Sequence, residues 1–464
     1  MYSEFYQENN FKGSLNDFEE SLKQNESKYF EIHEFEFIID HYIGSNDISK
    51  SKTALRNALK IHPKNHELQK RLAQINNIEG LYNEAILVIN KSFQSFGTEK
   101  DIDYYLILGE AYLGIGNIEK TKNLFKKAIE ISEDEYFEVV TTIASLFQQE
   151  GHNKEALHYF IKVEHEDKAL LFDIALTYQN LAKHNEAISY FEKFIPTSAF
   201  SVDAWYYLSS SYRAIENFEK AEDAIQNAIA IEPEILIYQY DLAKIYIDQV
   251  KYLEALELYK EILSKDKDVN HTIFLSIGDI SYNLEQYENA RKNYEIALRL
   301  NPNSSESFYS LGLVEIEIQD YTKAKMYIQK AIDLNSERAE FFMSLGTVNQ
   351  ILNDNVNAEF LFIEAVKLAS NTEDSWGMLI DFYYLNDNPA KAIETINHAE
   401  EKLGLKSLLL IKKAAANFDL GNRIKALKLL KTALSINKNE SETFLEYYPE
   451  GRTDFEILNL MNNY

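Results

Sequence analysis

A small residue recurs at a nearly constant interval along this chain, and the interval constrains the fold more than any single motif does. Spacings of 34, 35, 34, 34, 34 and 34 residues separate Ala221, Ala255, Ala290, Ala324, Ala358, Ala392 and Ala426. A repeat of this length is one supersecondary unit, which buries its apolar face by stacking on its neighbours. The sequence therefore predicts one elongated array of similar units rather than several globular domains.

The copy around Ala221 shows how the unit folds. Apolar residues between Trp205 and Tyr212 recur at the spacing of one helix face, and those between Ala221 and Ala228 form the stripe of a second helix. Pro233 ends the second helix because proline cannot donate a backbone hydrogen bond. Two facing stripes predict a helical hairpin, whose small residues let the helices approach to about 8–10 Å. The anchor position is small in every unit: Ser51, Ala85, Thr121, Ala156, Ala187, Ala221, Ala255, Ala290, Ala324, Ala358, Ala392 and Ala426.

The residues between the two helices have the chemistry of a tight turn. Seven units carry Asp or Asn four residues before the anchor, where the second helix needs an N-cap. These residues are Asp47, Asn117, Asn217, Asp320, Asp354, Asn388 and Asn422. Glycine lies in the turn itself at Gly80, Gly116, Gly151 and Gly421. The turn signals therefore agree with the periodicity of the apolar residues.

Further residues recur at fixed places in the unit: an aromatic residue that opens the first helix, a Leu/Ile–Gly pair, a second aromatic residue and a closing proline. They include Trp205, Phe274, Phe308, Phe342 and Trp376; Leu108-Gly109, Ile277-Gly278, Leu311-Gly312 and Leu345-Gly346; Tyr42, Tyr112, Tyr178, Tyr212, Tyr246 and Tyr383; and Pro63, Pro233 and Pro302. In these residues the chain resembles the tetratricopeptide repeat (TPR) family. The resemblance implies an all-α fold, an α-α superhelix (solenoid) of about twelve helical hairpins.

Counting the anchors outward divides the chain into three parts. Residues 32–440 make the twelve-repeat solenoid, residues 1–31 a partial N-terminal repeat or cap, and residues 441–464 a C-terminal capping segment. Within the first part, the aromatic residues predict a short first helix around Phe5 and a second helix through Phe18. Terminal units of an array are expected to be atypical because they lack a neighbour on one side.

Two intervals depart from the period. Ala156 and Ala187 are only 31 residues apart, so we expect a shortened loop and a kink near residues 164–168, where two sub-arrays would meet. Ala85 and Thr121 are 36 residues apart, and the extra residues are expected in the connector at 96–98.

Charge and composition limit the classes of partner. The chain has 47 Lys+Arg against 74 Asp+Glu, a net charge of −27, which repels nucleic acid and anionic membranes. We therefore expect protein or peptide partners with basic or apolar segments. The N-terminal residues resemble no secretory signal and no run is long enough for membrane insertion, which predicts a cytoplasmic protein. The chain contains no cysteine, which removes disulfides and thiolate chemistry.

The sequence shows no recognisable catalytic or metal-binding motif. His62 and His66 have the spacing of a zinc pair, but Pro63 lies between them and prevents a shared helix face. Gly114-Ile115-Gly116 lacks the third glycine of a dinucleotide-binding loop. We therefore predict no cofactor, no metal and no enzymatic activity. An enzyme would require paired buried carboxylates in the acidic groove, and none can be assigned.

The candidate binding residues lie beside the packed stripe of the first helices. Residues one position along a helix are rotated by about 100°, which in a stacked array places them on the concave side. The candidates are Tyr206, Arg213, Tyr240, Lys244, Tyr282, Tyr309, Met343 and Tyr384, and Ile411 and Phe418 are expected on the same face. Tyrosines offer a large contact area at low entropy cost. The alternative is that these aromatic residues only cover neighbouring helices.

Two functions are consistent with this surface. The first is a non-enzymatic scaffold or adaptor that holds protein segments in the concave groove. The tyrosines would then be contact anchors, while Arg213 and Lys244 would meet acidic groups of the partner. The alternative is a peptide-gated regulatory TPR receptor that controls an effector by changing its superhelical pitch, with the short unit at residues 156–187 as its hinge.

Overall fold

The computed structural model describes residues 2–24, 28–96, 101–165, 167–265 and 270–462. The chain divides into two compact units, Met1–Ile245 and Tyr246–Tyr464. All regular secondary structure in the described ranges is helical. In these ranges, no helix has both the length and the apolar character needed to cross a membrane.

The first unit is a series of helical hairpins preceded by one long helix. Helices α2 and α3, and each following pair up to α12 and α13, pack against each other, and each hairpin also packs on the next. The helices are α1 Tyr2–Gln24, α2 Ile32–Gly44, α3 Ile48–Ile61, α4 His66–Ile78, α5 Tyr82–Phe96, α6 Ile102–Gly114, α7 Ile118–Ile131, α8 Tyr136–Gln149, α9 Asn153–Val163, α10 Leu170–Asn180, α11 His184–Phe194, α12 Val202–Ala214 and α13 Phe218–Ile231. The unit boundary falls within α14, Leu236–Asp248.

The second unit repeats the same arrangement. Its hairpins are α16 with α17, α18 with α19, α20 with α21, α22 with α23, and α24 with α25. The helices are α15 Tyr252–Lys265, α16 His271–Asn283, α17 Tyr287–Leu300, α18 Ser305–Glu317, α19 Tyr321–Leu334, α20 Ala339–Ile351, α21 Asn355–Leu368, α22 Glu373–Leu385, α23 Pro389–Leu403, α24 Ser407–Asp419, α25 Arg423–Ile436, α26 Ser441–Tyr447 and α27 Phe455–Asn462. We call the even-numbered helices from α2 to α24 first helices and the odd-numbered helices from α3 to α25 second helices.

The predicted fold class, an all-α array of helical hairpins, is confirmed, and the anchor residues show why the helices pack closely. All twelve anchors from Ser51 to Ala426 lie on second helices and are fully buried. The glycine of the Leu/Ile–Gly pair lies against the second helix of the same hairpin. A β-carbon on Gly109 would stand 2.3 Å from Phe125 Cε1, and one on Gly346 would stand 2.7 Å from Phe362 Cε1. Only glycine permits this approach.

Five of the seven predicted N-caps form the expected hydrogen bond in the turn between the two helices. The side chains of Asp47, Asn117, Asn217, Asp320 and Asn388 each accept a hydrogen bond from a backbone N–H in the first turn of the second helix. Asp354 and Asn422 precede their helices but accept no such bond. These two residues therefore occupy the predicted N-cap position but do not form the expected capping hydrogen bond.

The N-terminal segment differs from its prediction. Residues Tyr2–Gln24 form one continuous helix instead of two short ones, and Phe18 is buried against Phe30 and Tyr42. The predicted insertion at residues 97–98 and residue 166 at the centre of the predicted kink lie outside the described residues. The kink and the division into 1–31, 32–440 and 441–464 therefore stay predictions.

The C-terminal helices cover the end of the last hairpin. Helix α26 packs on α24, and the rings of Phe444 and Tyr448 lie 5.8 and 4.8 Å from the ring of Phe418. Arg423, at the start of α25, holds Asp454 by two hydrogen bonds of 2.6 and 2.9 Å. The Arg423 guanidinium, aided by backbone N–H donors, lowers the pKa of Asp454 to about 2 although burial acts in the opposite sense. Aromatic packing and the ion pairs of Arg423 with Asp454 and Glu456 thus hold these C-terminal helices on the preceding hairpin.

Candidate functional site

Within each unit, successive first helices contact one another, and we call the surface that they form the first-helix face. The eight candidate residues all belong to first helices: Tyr206 and Arg213 on α12, Tyr240 and Lys244 on α14, Tyr282 on α16, Tyr309 on α18, Met343 on α20 and Tyr384 on α22. Lys244 is exposed and the other seven are half-buried. Each unit therefore presents four of the candidates.

The tyrosine hydroxyls on this face connect one hairpin to the next. In each of four pairs, the hydroxyl contacts an oxygen of the residue 35 positions later, on the following first helix. The pairs are Tyr206 with Asp241 (2.9 Å), Tyr282 with Glu317 (3.0 Å), Tyr309 with Ser344 (2.9 Å) and Tyr384 with Asp419 (2.7 Å). A partner would therefore meet the edges and faces of these rings, because the hydroxyls already have hydrogen-bond partners.

In the first unit, two candidates share one carboxylate. Asp241 accepts a hydrogen bond from the Tyr206 hydroxyl at one oxygen and pairs with Lys244 Nζ at the other, each at 2.9 Å. Burial, together with the hydrogen bond to Asp241, raises the pKa of Tyr206 to about 12. The ammonium of Lys244 is thus already paired with Asp241, and its contact with a partner stays a prediction.

In the second unit, the first-helix face contains a cleft of about 420 Å³ between α20, α22 and α24. Its apolar surface comes from Met343, Met378 and Leu408, and its opening exists because Gly377 has no side chain. A β-carbon on Gly377 would meet only Lys412 Nζ, at 3.7 Å. The cleft is therefore wide enough for an apolar side chain of a ligand.

Acidic residues surround this cleft. Glu373 and Asp374 stand exposed in the first turn of α22, and Glu373 pairs with Lys406 at 2.9 Å. Asp381 lies deeper and accepts hydrogen bonds from Lys412 Nζ at 2.7 Å and from the Tyr447 hydroxyl at 2.9 Å. Lys406 and Lys412 are each paired with a carboxylate, so Asp374, which has no ion pair within the described part of the chain, makes the accessible charge at the rim negative.

Two expectations for the last first helix are wrong. Ile411 and Phe418 on α24 were expected on the open face, but both are buried. They are covered because the C-terminal helix α26 packs on α24, a contact between segments that the repeat pattern does not describe. Sequence analysis also missed Gly377 and Leu408. Tyr309, Met343 and Gly377 occupy the same position in three successive repeats. The change from a large residue to glycine at this position was the sequence signal that could have indicated the cleft.

A serine, a histidine and an aspartate also meet in the first unit. His66 Nδ1 lies 2.7 Å from Ser92 Oγ, and His66 Nε2 lies 3.1 Å from an Asp101 oxygen. In serine hydrolases the two ring nitrogens have the opposite partners, and the serine is accessible, whereas Ser92 is buried. Asp101 also pairs with Lys70 at 3.1 Å and accepts the Tyr104 N–H. The trio therefore joins α4, α5 and the start of α6.

The electrostatics of this trio agree with a structural role. Burial alone would raise the pKa of Asp101, but hydrogen bonds from His66, Tyr104 and Lys70 lower it on balance. Across the described ranges, no group of three or more His, Cys, Asp or Glu side chains has an arrangement that could hold a metal ion.

Comparison with sequence models of known families assigns the repeats. A model described as "TPR repeat" matches residues 278–315, and models described as "Tetratricopeptide repeat" match residues 208–270 and residues 102–135, 169–195 and 305–338. The chain contains tetratricopeptide repeats. TPR arrays generally serve as scaffolds for contacts between proteins, and the expected family resemblance is confirmed.

Two curated proteins are similar to part of this TPR chain. The human protein O-mannosyl-transferase TMTC1 is 22% identical over 204 residues, which is 42% of this chain and 23% of that protein. The bovine BBSome complex member BBS4 is 24% identical over 211 residues, which is 42% of this chain and 38% of that protein. The chain thus spans well under half the length of these relatives.

Two solved structures also match this chain at low sequence identity. A tetratricopeptide repeat protein from Parabacteroides merdae matches with a TM-score of 0.41 and 20% identity, covering 56% of this chain and 98% of that one. The structure of the APC/C hetero-tetramer Cut9-Hcn1 matches with a TM-score of 0.40 and 12% identity, covering 87% of this chain and 97% of that one.

Proposed function

We propose that this TPR protein is a non-enzymatic scaffold that binds a basic or apolar segment of a partner protein on its first-helix face. The observation that carries the proposal is the cleft between α20, α22 and α24. Its apolar floor accepts one side chain of the partner, while its acidic rim attracts neighbouring Lys or Arg residues. Small sites of this kind combine an apolar pocket with a few polar groups that set orientation.

The charges around the cleft select the partner. Glu373 and Asp374 lie in the first turn of α22. The helix dipole stabilises the negative charge of a carboxylate at this end of a helix. A basic residue of a ligand beside Asp374 adds an attraction across the rim. An acidic ligand would meet the same two carboxylates and the net charge of −27, so it would be repelled.

The tyrosines support a larger contact area beyond the cleft. Tyr309 contacts Ser344 on α20, so its ring borders the helix that also supplies Met343. Its ring lies 4.5 Å from that of Phe341, which fixes its orientation. A rigid aromatic ring of this kind loses little entropy on binding. We therefore propose Tyr309, Met343, Met378 and Leu408 as the apolar contacts.

A blocked cleft tests this proposal. A random-peptide phage library selected on the immobilised full chain is expected to yield peptides with an apolar residue flanked by Lys or Arg. Gly377→Leu places a side chain in the cleft and is expected to weaken binding of those peptides at least about tenfold, since about 1.4 kcal/mol of contact is lost. Gly377→Ala, which adds one methyl group at the same position, is the matched control and is expected to bind nearly as well.

Two results would contradict the proposal. Selected peptides that bind Gly377→Leu and the original chain equally would place the peptide site elsewhere. A selection that enriches acidic peptides on this cleft would contradict the electrostatic part of the proposal. Circular dichroism of both variants checks that the helices remain folded.

A further inference from the structure

A groove between two second helices of the first unit has a net charge opposite to that of the cleft rim. The second helices α7 and α9 border a groove of about 740 Å³. Lys122 and Lys126 line it from α7, and Lys154 and Lys162 line it from α9. Glu130 and Glu155 are its acidic residues, so the lining is net positive in a chain whose net charge is −27.

Two of the four lysines are available to a ligand. Lys122 is paired with Glu155 at 3.1 Å, and Lys126 is near Glu130 at 3.7 Å. Lys154 and Lys162 are exposed, and within the described part of the chain neither forms an ion pair. Lys162 instead lies 4.8 Å from the centre of the Tyr159 ring, so among the described residues its charge is near an aromatic ring and not paired with a carboxylate.

The groove also has an apolar floor. Ile129 and Tyr159 are half-buried at its base. The ring of Tyr159 is stacked on that of Phe147 at 5.7 Å, so the floor is supported by the core of the hairpin. Positive side chains above an apolar base fit a segment that carries both carboxylates and an apolar residue.

We propose that the groove between α7 and α9 binds an acidic segment of a partner protein, with carboxylates at Lys154 and Lys162 and an apolar side chain on Ile129 and Tyr159. This site is separate from the cleft of the proposed function and has the opposite preference. The protein would thus hold basic segments on its first-helix face and an acidic segment on this second-helix groove.

Charge complementarity favours a short acidic peptide over nucleic acid. A continuous phosphate backbone would extend beyond the groove and meet the negative charge of the remaining chain. Glu130 and Glu155 within the lining would also oppose a uniform row of phosphates. A peptide can instead place its carboxylates beside the lysines and leave neutral residues beside the two glutamates.

His158 provides a spectroscopic reporter at the site. It lines the groove, and burial lowers its pKa, with further lowering by the charges of Lys162 and Lys122 and a smaller opposing effect of Glu155. A bound carboxylate would favour the protonated ring. The His158 pKa, measured by NMR, is therefore expected to rise when the acidic segment binds.

The binding experiment uses the full chain and a fluorescein-labelled peptide in which Asp and Glu surround one Leu. The anisotropy titration is expected to show saturable binding that weakens with salt. Lys154→Glu combined with Lys162→Glu removes two attractions and adds two repulsions, and it is expected to weaken binding about tenfold or more. Lys425→Glu combined with Lys428→Glu makes the same change of net charge on exposed residues of α25 and is the matched control.

Each other outcome overturns the inference. An equal loss of binding in both double variants would show attraction to net charge without a site. Stronger binding of labelled single-stranded DNA than of the peptide would assign the groove to nucleic acid. A concentration-dependent dimer that the Lys154/Lys162 variant abolishes would show that a second copy of the chain occupies the groove.

A His158 pKa that stays constant while the peptide binds would place the peptide elsewhere. Loss of peptide binding in Gly377→Leu would link the two sites and contradict their independence.

Discussion

At the residue scale, glycine has two opposite uses in the first helices. Gly109, Gly278, Gly312 and Gly346 let the second helix of the same hairpin approach, because a β-carbon at any of them would lie 2.3–2.7 Å from a side-chain atom of that helix. Gly377 has no such neighbour and instead opens the cleft. The same amino acid thus serves packing at four positions and an open surface at the fifth.

This difference predicts opposite effects of alanine on stability. Gly109→Ala forces the Phe125 ring aside and is expected to lower the free energy of unfolding by about 1–3 kcal/mol. Gly377→Ala finds space and is expected to raise it by about 0.5–1 kcal/mol, because alanine loses less backbone entropy within a helix. Urea unfolding followed by circular dichroism measures both changes. Destabilisation of similar size in the two variants would show that Gly377 is also required for packing.

At the scale of the hairpin, the turn between the two helices has a constant backbone geometry. Between each first helix and the second helix that follows it in the chain, the residue before the N-cap position has a positive φ: Asn46, Gly80, Gly116, Gly151, Ala182, Glu216, Val250, Glu285, Gln319, Asn353, Asp387 and Gly421. Four of these are glycine, and the others accept a conformation that side chains disfavour. The fold tolerates this unfavourable backbone conformation because the turn reverses the chain between the two helices.

Val250 is the most strained of these residues and provides a test of the turn. It is β-branched, has a φ of 62° and is 66% exposed, so its side chain contributes little packing. Val250→Gly is expected to raise the free energy of unfolding by about 0.5–1 kcal/mol. Val356→Gly is the control, because Val356 is 81% exposed but lies in the first turn of α21, where glycine lowers stability. Changes of the same sign at both valines would contradict this account of the turn.

The structural elements that can be predicted from the sequence are those that depend on contacts within one hairpin. The buried anchors and the capping hydrogen bond of Asn217 need only the local pattern, and they were predicted. The burial of Ile411 and Phe418 was not, since it depends on α26, which lies outside the repeat. The cleft at Gly377 exists because a side chain is missing between the first helices of three successive hairpins. The repeat period alone does not reveal such a gap.

At the scale of the whole molecule, charge is distributed unevenly along an acidic chain. From Leu405 to Lys438 there are eight Lys or Arg residues and one Asp, so this segment alone is positive by seven charges in a chain of net charge −27. The groove between α7 and α9 is a second positive region. In the functions proposed above, the acidic rim of the cleft and the basic groove would bind segments of opposite charge, and each would repel the segment that suits the other.

The response of the whole chain to a bound peptide distinguishes a scaffold from a peptide-gated receptor. A ligand in the cleft touches α20, α22 and α24, which belong to three hairpins. It could change the distance between these hairpins only if it bound one arrangement of them more tightly than another. The floor is already fixed by the ion pair of Lys412 with Asp381 and by the Tyr447 hydroxyl. We therefore expect the radius of gyration from small-angle X-ray scattering to stay unchanged when a cleft-binding peptide is added. A shift that Gly377→Leu prevents would instead support the receptor, because it would show that occupation of the cleft drives the change.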